Sequence, residues 1–87
     1  MAAYQFDLDM KYLEEVKTIV AGVLGLSDAQ LDVNAEMNEI DEWDSMRNIQ
    51  ILQALEENYD ILFPEDDIFD LTSVTALAEE IEKLKEE

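Results

Sequence analysis

Eighty-seven residues with 23 acids, 5 bases and a net charge of -18 argue against a phosphate backbone or an anionic membrane as partner, because like charges repel. The chain has no cysteine and no histidine, which removes disulfide staples, thiolate sites, the commonest general base and the commonest neutral metal ligand. A hydrophobic share of 48% is too high for a disordered acidic tail, so the expectation is one small, folded, very acidic domain.

The opening MAAYQFDLDMKY has neither a basic nor an apolar region of the kind that makes a secretory signal. No apolar run reaches the roughly 18 residues of a membrane span. A cytoplasmic location is therefore expected.

In DMKYLEEVKTIVAGVLGLS, Leu13, Val16, Ile19, Val20, Val23 and Leu24 recur at spacings of three and four, which predicts a first helix over about 9–24. Asp9 suits its cap, Glu14 and Glu15 favour its N-terminal end, and Gly25 accepts the left-handed conformation that ends it. A connection of this length, 25–43, is uncommon without a purpose. Leu26, Leu31, Val33, Met37 and Ile40 are expected to pin it over the core, and Ser27 to cap a short turn at 28–31.

The second helix is predicted at about 45–59, with Asp44 as N-cap facing the positive end of the helix dipole. At 100° per residue, Ile49, Leu52, Leu55 and Tyr59 gather on one face with Ile51 at its margin. The opposite face collects Met46, Gln50, Gln53 and Glu57. Pro64 followed by acids predicts a short third helix over about 64–69. The last helix is expected over about 73–85, capped by Thr72 or Ser73, with Val74, Leu77, Ala78, Ile81 and Leu84 as its apolar stripe. Lys83 and Lys85 suit its negative pole. No strand pattern or repeat occurs, so the predicted fold is all-α: three main helices plus one short helix, with a long loop between the first and second.

Asp44-Ser45-Met46 by itself says little, since an Asp-Ser pair at a helix start is usually only a cap. The longer string DSMRNIQILQALEENYDILFPEDDIFDLTSV, from Asp44 to Val74, resembles acyl carrier proteins. In that family a long loop delivers Asp-Ser-Leu to the start of the second helix, which ends in acids and an aromatic, as Glu56, Glu57 and Tyr59 do here. A hydrophobic–Pro–acidic step follows (Phe63, Pro64, Glu65), then a Thr-Ser/Thr-Val entry to the last helix (Thr72, Ser73, Val74).

The resemblance implies a non-catalytic carrier with 4′-phosphopantetheine joined covalently to Ser45. A phosphopantetheinyl transferase would install the arm, with Asp44 helping to place serine and metal in that complex. The arm's thiol would carry acyl or aminoacyl cargo, which explains how a chain lacking Cys and His serves chemistry. Acyl-loading ligases or synthases with basic patches are the implied partners of a monomeric chain. They would dock on Met46, Arg47, Gln50, Gln53, Glu56, Glu57 and Asp60. The plain structural reading of those acids is a solvated helix face.

Three departures stand out. Trp43 replaces the Gly common before the motif in fatty-acid carriers, and its structural reading is a ring closing the loop against the bundle. Arg47 and Gln50 stand where such carriers usually show acids. Met46 is similar to D-alanyl carriers, which usually continue with Gly rather than Arg47. Cargo therefore stays open among fatty acid, polyketide, amino acid and D-alanyl groups.

The rival reading is an acidic helical module that binds a partner with Ser45 never modified. DEWDSM lacks the alternating ligands, central Gly and final Glu of a calcium loop. Paired carboxylates alone make no catalytic site in so small a bundle, so neither catalytic residues nor metal ligands are assigned.

Overall fold

Residues 12–86 are described by a computed structural model. In chain order they form α1 (Leu13–Leu24), two 3₁₀ turns (Asp28–Gln30 and Met37–Glu39), α2 (Ser45–Tyr59), a 3₁₀ helix (Glu65–Asp70) and α3 (Val74–Glu86). There is no strand among the described residues, and the fold is all-α. The predicted start of the first helix at 9–11, with its Asp9 cap, lies outside them.

Val16, Val20, Ala21 and Leu24 form the buried stripe of α1, one turn apart as the spacing requires. This stripe packs against both α2 and α3. Gly25 ends the helix at φ 76°. Its N–H donates to Gly22 O (3.3 Å) and the Leu26 N–H to Ala21 O (2.9 Å), so two otherwise orphaned carbonyls are satisfied.

Segment 25–43 is tied to the entry of α3 rather than draped over it. The Met37 N–H donates to Thr72 O (2.8 Å) and the Thr75 N–H to Val33 O (3.1 Å). Side chains repeat the link, with Thr72 Oγ1 donating to Glu36 Oε1 (2.7 Å) and Thr75 Oγ1 to Val33 O (2.9 Å). Leu31 is buried, and Leu26, Val33, Met37 and Ile40 are half-buried against the core. Each 3₁₀ turn is braced by a returning side chain: the Ser27 N–H donates to Gln30 Oε1 (2.9 Å) and the Glu36 N–H to Glu39 Oε1 (2.8 Å). Gln30 thus supplies the acceptor that a Glu would have supplied in the common form of this box.

One sequence expectation about α2 is corrected. Ile51 is fully buried, whereas Ile49 is 57% exposed. The core face of α2 is Asn48, Ile51, Leu52, Leu55 and Tyr59. At 100° per residue Ile51 stands about 73° from the mean direction of Leu52, Leu55 and Tyr59, and Ile49 about 87° away on the other side, so spacing alone barely separates them. The polar Asn48 lies on the inner face as the partner of a buried tryptophan. Burying an isoleucine stabilises by about 1.5–3 kcal/mol whichever one it is. The bond between Trp43 and Asn48 is satisfied in the orientation that puts Ile51 inside.

The ends of α2 and α3 are held by named groups. Asp60 closes α2 in the left-handed region at φ 57°, and the Ile61 N–H donates to Glu56 O (3.1 Å). Lys85 lies in the last turn of α3 as expected, and it also donates from Nζ to Tyr59 O (3.2 Å) at the end of α2. Ser73 caps α3, its Oγ accepting from the Ala76 N–H (3.1 Å). Tyr59 stacks edge-on against Tyr12 at a centroid distance of 5.5 Å and donates from Oη to Glu15 Oε1 (2.7 Å), joining α1 to α2.

Candidate functional site

The chain has three serines, Ser27, Ser45 and Ser73. Ser73 is buried and its oxygen caps α3. Ser27 opens a 3₁₀ turn of only 3 residues. Ser45 alone is the first residue of a long helix with its side chain exposed.

The local geometry follows from the residues on either side. Asp44 is extended (φ −105°, ψ −176°), and its Oδ1 accepts from the Arg47 N–H (2.8 Å). The Asn48 N–H takes the Asp44 carbonyl (2.9 Å) as the first helical bond. The N–H groups of Ser45 and Met46 have no acceptor among the described residues. Two unspent donors at the positive end of a helix dipole make a setting that stabilises an anion on the serine oxygen.

Behind this turn Trp43 is 2% exposed, and its Nε1 donates to Asn48 Oδ1 (2.9 Å). The bond crosses from the end of the loop to the inner face of α2 and fixes where the helix begins. Arg47 turns back as well, with Nη1 donating to Val23 O (2.9 Å) near the C-terminus of α1, where a cation is favoured. The motif is therefore held from two sides while Ser45 remains open.

The predicted docking residues divide into two groups. Met46 is 70% exposed, and Gln50, Gln53 and Glu57 continue its stripe along the outer face, with Asp60 exposed at the helix end. Gln53, Glu57 and Asp60 line an open groove of about 840 Å³ together with Glu56, Ile61 and Leu62. Arg47 and Glu56, by contrast, are half-buried with internal partners. Glu56 Oε2 accepts from the Phe63 N–H (3.0 Å) and so fastens the returning chain. Sequence reasoning missed the exposure of Ile49, Leu62 and Phe69, of which Phe69 is the most open at 86%. It also missed Asn48, whose signal was its place one turn after Ser45.

A cavity of about 180 Å³ opens beside the serine, lined by Met37, Ser45, Asn48, Ile68, Phe69 and Thr72. It joins the 3₁₀ turn Met37–Glu39, the start of α2 and the 3₁₀ helix Glu65–Asp70.

The family model described as a phosphopantetheine attachment site matches residues 14–81, most of the chain and all of this arrangement. The chain belongs to the acyl carrier protein family. It is 31% identical over 72 residues to an acyl carrier protein of Akkermansia muciniphila, covering 83% of this chain and 90% of that one. Against an acyl carrier protein of Cyanidioschyzon merolae it is 27% identical over 66 residues, covering 76% of this chain and 72% of the other. The chain is thus an acyl carrier, and the reading as an unmodified interaction module is not favoured. Its prosthetic group is 4′-phosphopantetheine, held covalently. When bound, that group supplies the terminal thiol on which acyl cargo rides as a thioester.

The residues of this carrier fit such an arm. Ser45 presents an exposed hydroxyl, free N–H groups beside it suit a phosphate, and the adjoining cavity has apolar walls with a buried carboxamide in them. Among the described residues no helix is long and apolar enough to cross a membrane.

Proposed function

We propose that Ser45 Oγ bears the 4′-phosphopantetheine and that a phosphopantetheinyl transferase installs it from coenzyme A. The serine oxygen forms a bond to the phosphorus nearest the pantetheine and the pyrophosphate bond of coenzyme A breaks. Adenosine 3′,5′-bisphosphate leaves, and the serine proton passes to a base of the transferase. Asp44 has two tasks in this reading: it caps α2, and its exposed carboxylate helps to hold the metal and serine in the transferase complex.

The observation that carries the reading is the combination found, among the described residues, only at Ser45: an exposed hydroxyl on the first residue of a 15-residue helix. Ligases or synthases that load and use the cargo then dock on Met46, Ile49, Gln50, Gln53, Glu57 and Asp60, meeting the acids with basic patches. Arg47 and Glu56 act on docking through the shape of the turn and helix end that their internal bonds maintain. The carrier works as a single domain, monomeric and cytoplasmic. Its charge of -18 speeds the approach of basic partners and opposes self-association.

The test is intact mass after incubation with a phosphopantetheinyl transferase and coenzyme A. The expected result is one added arm per chain in the wild type and none in Ser45→Ala. Arm uptake by Ser45→Ala would put the attachment elsewhere.

A further inference from the structure

The cavity beside Ser45 contains a donor that the fold does not use. Asn48 is only 8% exposed. Tryptophan N–H can only donate, so the bond from Trp43 Nε1 fixes the Asn48 oxygen as its acceptor and leaves the amide nitrogen on the other side. No acceptor for that nitrogen exists among the described residues. Every fully enclosed side-chain nitrogen or oxygen among them has a partner, so this one is reachable. The opening it meets is the cavity of about 180 Å³ that Asn48 shares with Ser45.

The lining has two characters. Met37, Ile68 and Phe69 are apolar, and Asn48 and Thr72 are polar. Thr72 Oγ1 gives its proton to Glu36 and keeps its acceptor capacity. The space is roughly 12–18 times what one water molecule requires, and the amide donor facing it is free to bond whatever acceptor enters.

We infer that this cavity seats the pantoyl unit of the prosthetic arm, with the Asn48 amide nitrogen donating to the pantoyl oxygen atoms. The inference rests on attachment at Ser45. The pantoyl unit directly follows the phosphate, so a group on Ser45 Oγ reaches the cavity without spanning the protein. Its geminal methyl pair matches Met37, Ile68 and the ring of Phe69, which otherwise stands 86% exposed. Its hydroxyl and carbonyl match Asn48 and Thr72. Trp43 is then a positioning residue: by taking the Asn48 oxygen it turns the donor toward the arm. Seating the first part of the arm lowers the freedom of the rest.

The test is NMR of the loaded chain, with loading first verified by mass. On going from apo to holo, the Asn48 side-chain NH₂ pair shifts more than those of Asn38 and Asn58. Nuclear Overhauser contacts appear between the geminal methyls and Ile68 or Phe69. Asn48→Asp keeps an acceptor for Trp43 but loses the donor, and Phe69→Ala removes only an exposed wall. Each variant, once loaded, should show these contacts weakened roughly fivefold, the scale of one lost hydrogen bond or comparable contact. If Asn48→Asp does not fold, Phe69→Ala and the wild-type comparison carry the test. A loaded wild type with no such contacts and an unmoved Asn48 pair overturns this inference alone. A chain that never accepts the arm overturns the attachment at Ser45 and this inference together.

Discussion

Replacing Trp43 by phenylalanine should expose how much of the fold's stability is concentrated at the edge of the functional turn. The indole is 2% exposed, and its Nε1 donates to Asn48 Oδ1 at 2.9 Å. Trp43→Phe leaves that buried oxygen unsatisfied, at a cost of about 1–3 kcal/mol. The smaller ring adds a cavity term of about 1 kcal/mol. The sum, about 2–4 kcal/mol, is a large share of the roughly 4–13 kcal/mol expected for a domain of this size. Asn48→Leu should cost about 1–3 kcal/mol, because the indole N–H then loses its acceptor. The double variant removes both polar groups and keeps mainly the cavity term. It should therefore be no less stable than Trp43→Phe alone, giving a coupling of at least about 1–3 kcal/mol. Urea unfolding followed by far-UV circular dichroism measures all four proteins on one scale. Single-variant losses that simply add in the double variant would refute the idea that a shared buried hydrogen bond closes the loop on α2.

Three further outcomes follow from the same structure. Asp60 holds a left-handed conformation at the negative end of α2, so Asp60→Gly should raise stability by about 1 kcal/mol and increase Tm; a lower Tm would contradict the strain assigned there. Burial, reinforced by the hydrogen bond to Glu15, raises the Tyr59 phenol above its ordinary value. Its folded pKa exceeds the unfolded one, so the stability it adds is fully present below about pH 10 and is lost as pH climbs through the folded value. Tyr59→Phe should thus be less stable by about 1 kcal/mol at neutral pH, with the gap narrowing only in alkali; a gap that varies between pH 6 and about 9 would contradict this. At the outer face, Met46→Ala should weaken docking of an acyl-loading enzyme about tenfold and Gln53→Ala much less, as read by titration calorimetry; equal losses would remove Met46 as the central contact.

Much of the architecture was written in local signals. The three- and four-residue spacing in α1 met a glycine that could only be a stop, and Asp44 and Ser73 had side chains made for capping. These features depend on neighbours a turn away, which is why the chain order reveals them. The orientation of α2 was hidden for the opposite reason. Asn48 looks like a surface residue until a tryptophan five positions earlier demands an acceptor indoors, and Ile49 and Ile51 stand at nearly equal angles from the centre of Leu52, Leu55 and Tyr59, so spacing alone hardly chose between them. Lys85 and Glu56 illustrate the same limit. Their charges were legible, but their partners, Tyr59 O and Phe63 N–H, became neighbours only after the helices packed and the chain turned back. At the site, sequence marked the serine and the outer stripe. The cavity was not marked, because its walls come from three separate segments and its exposed phenylalanine sits within an acidic 3₁₀ helix.

The central claim is that one serine hydroxyl of three carries the arm. Fragmentation mass spectrometry of the loaded wild-type chain tests it most directly, since Ser27, Ser45 and Ser73 fall in separable stretches. The account predicts the phosphopantetheine mass on the fragment containing Ser45, with Ser27 and Ser73 bare. The same mass on either of those two, with Ser45 unaltered, would contradict it.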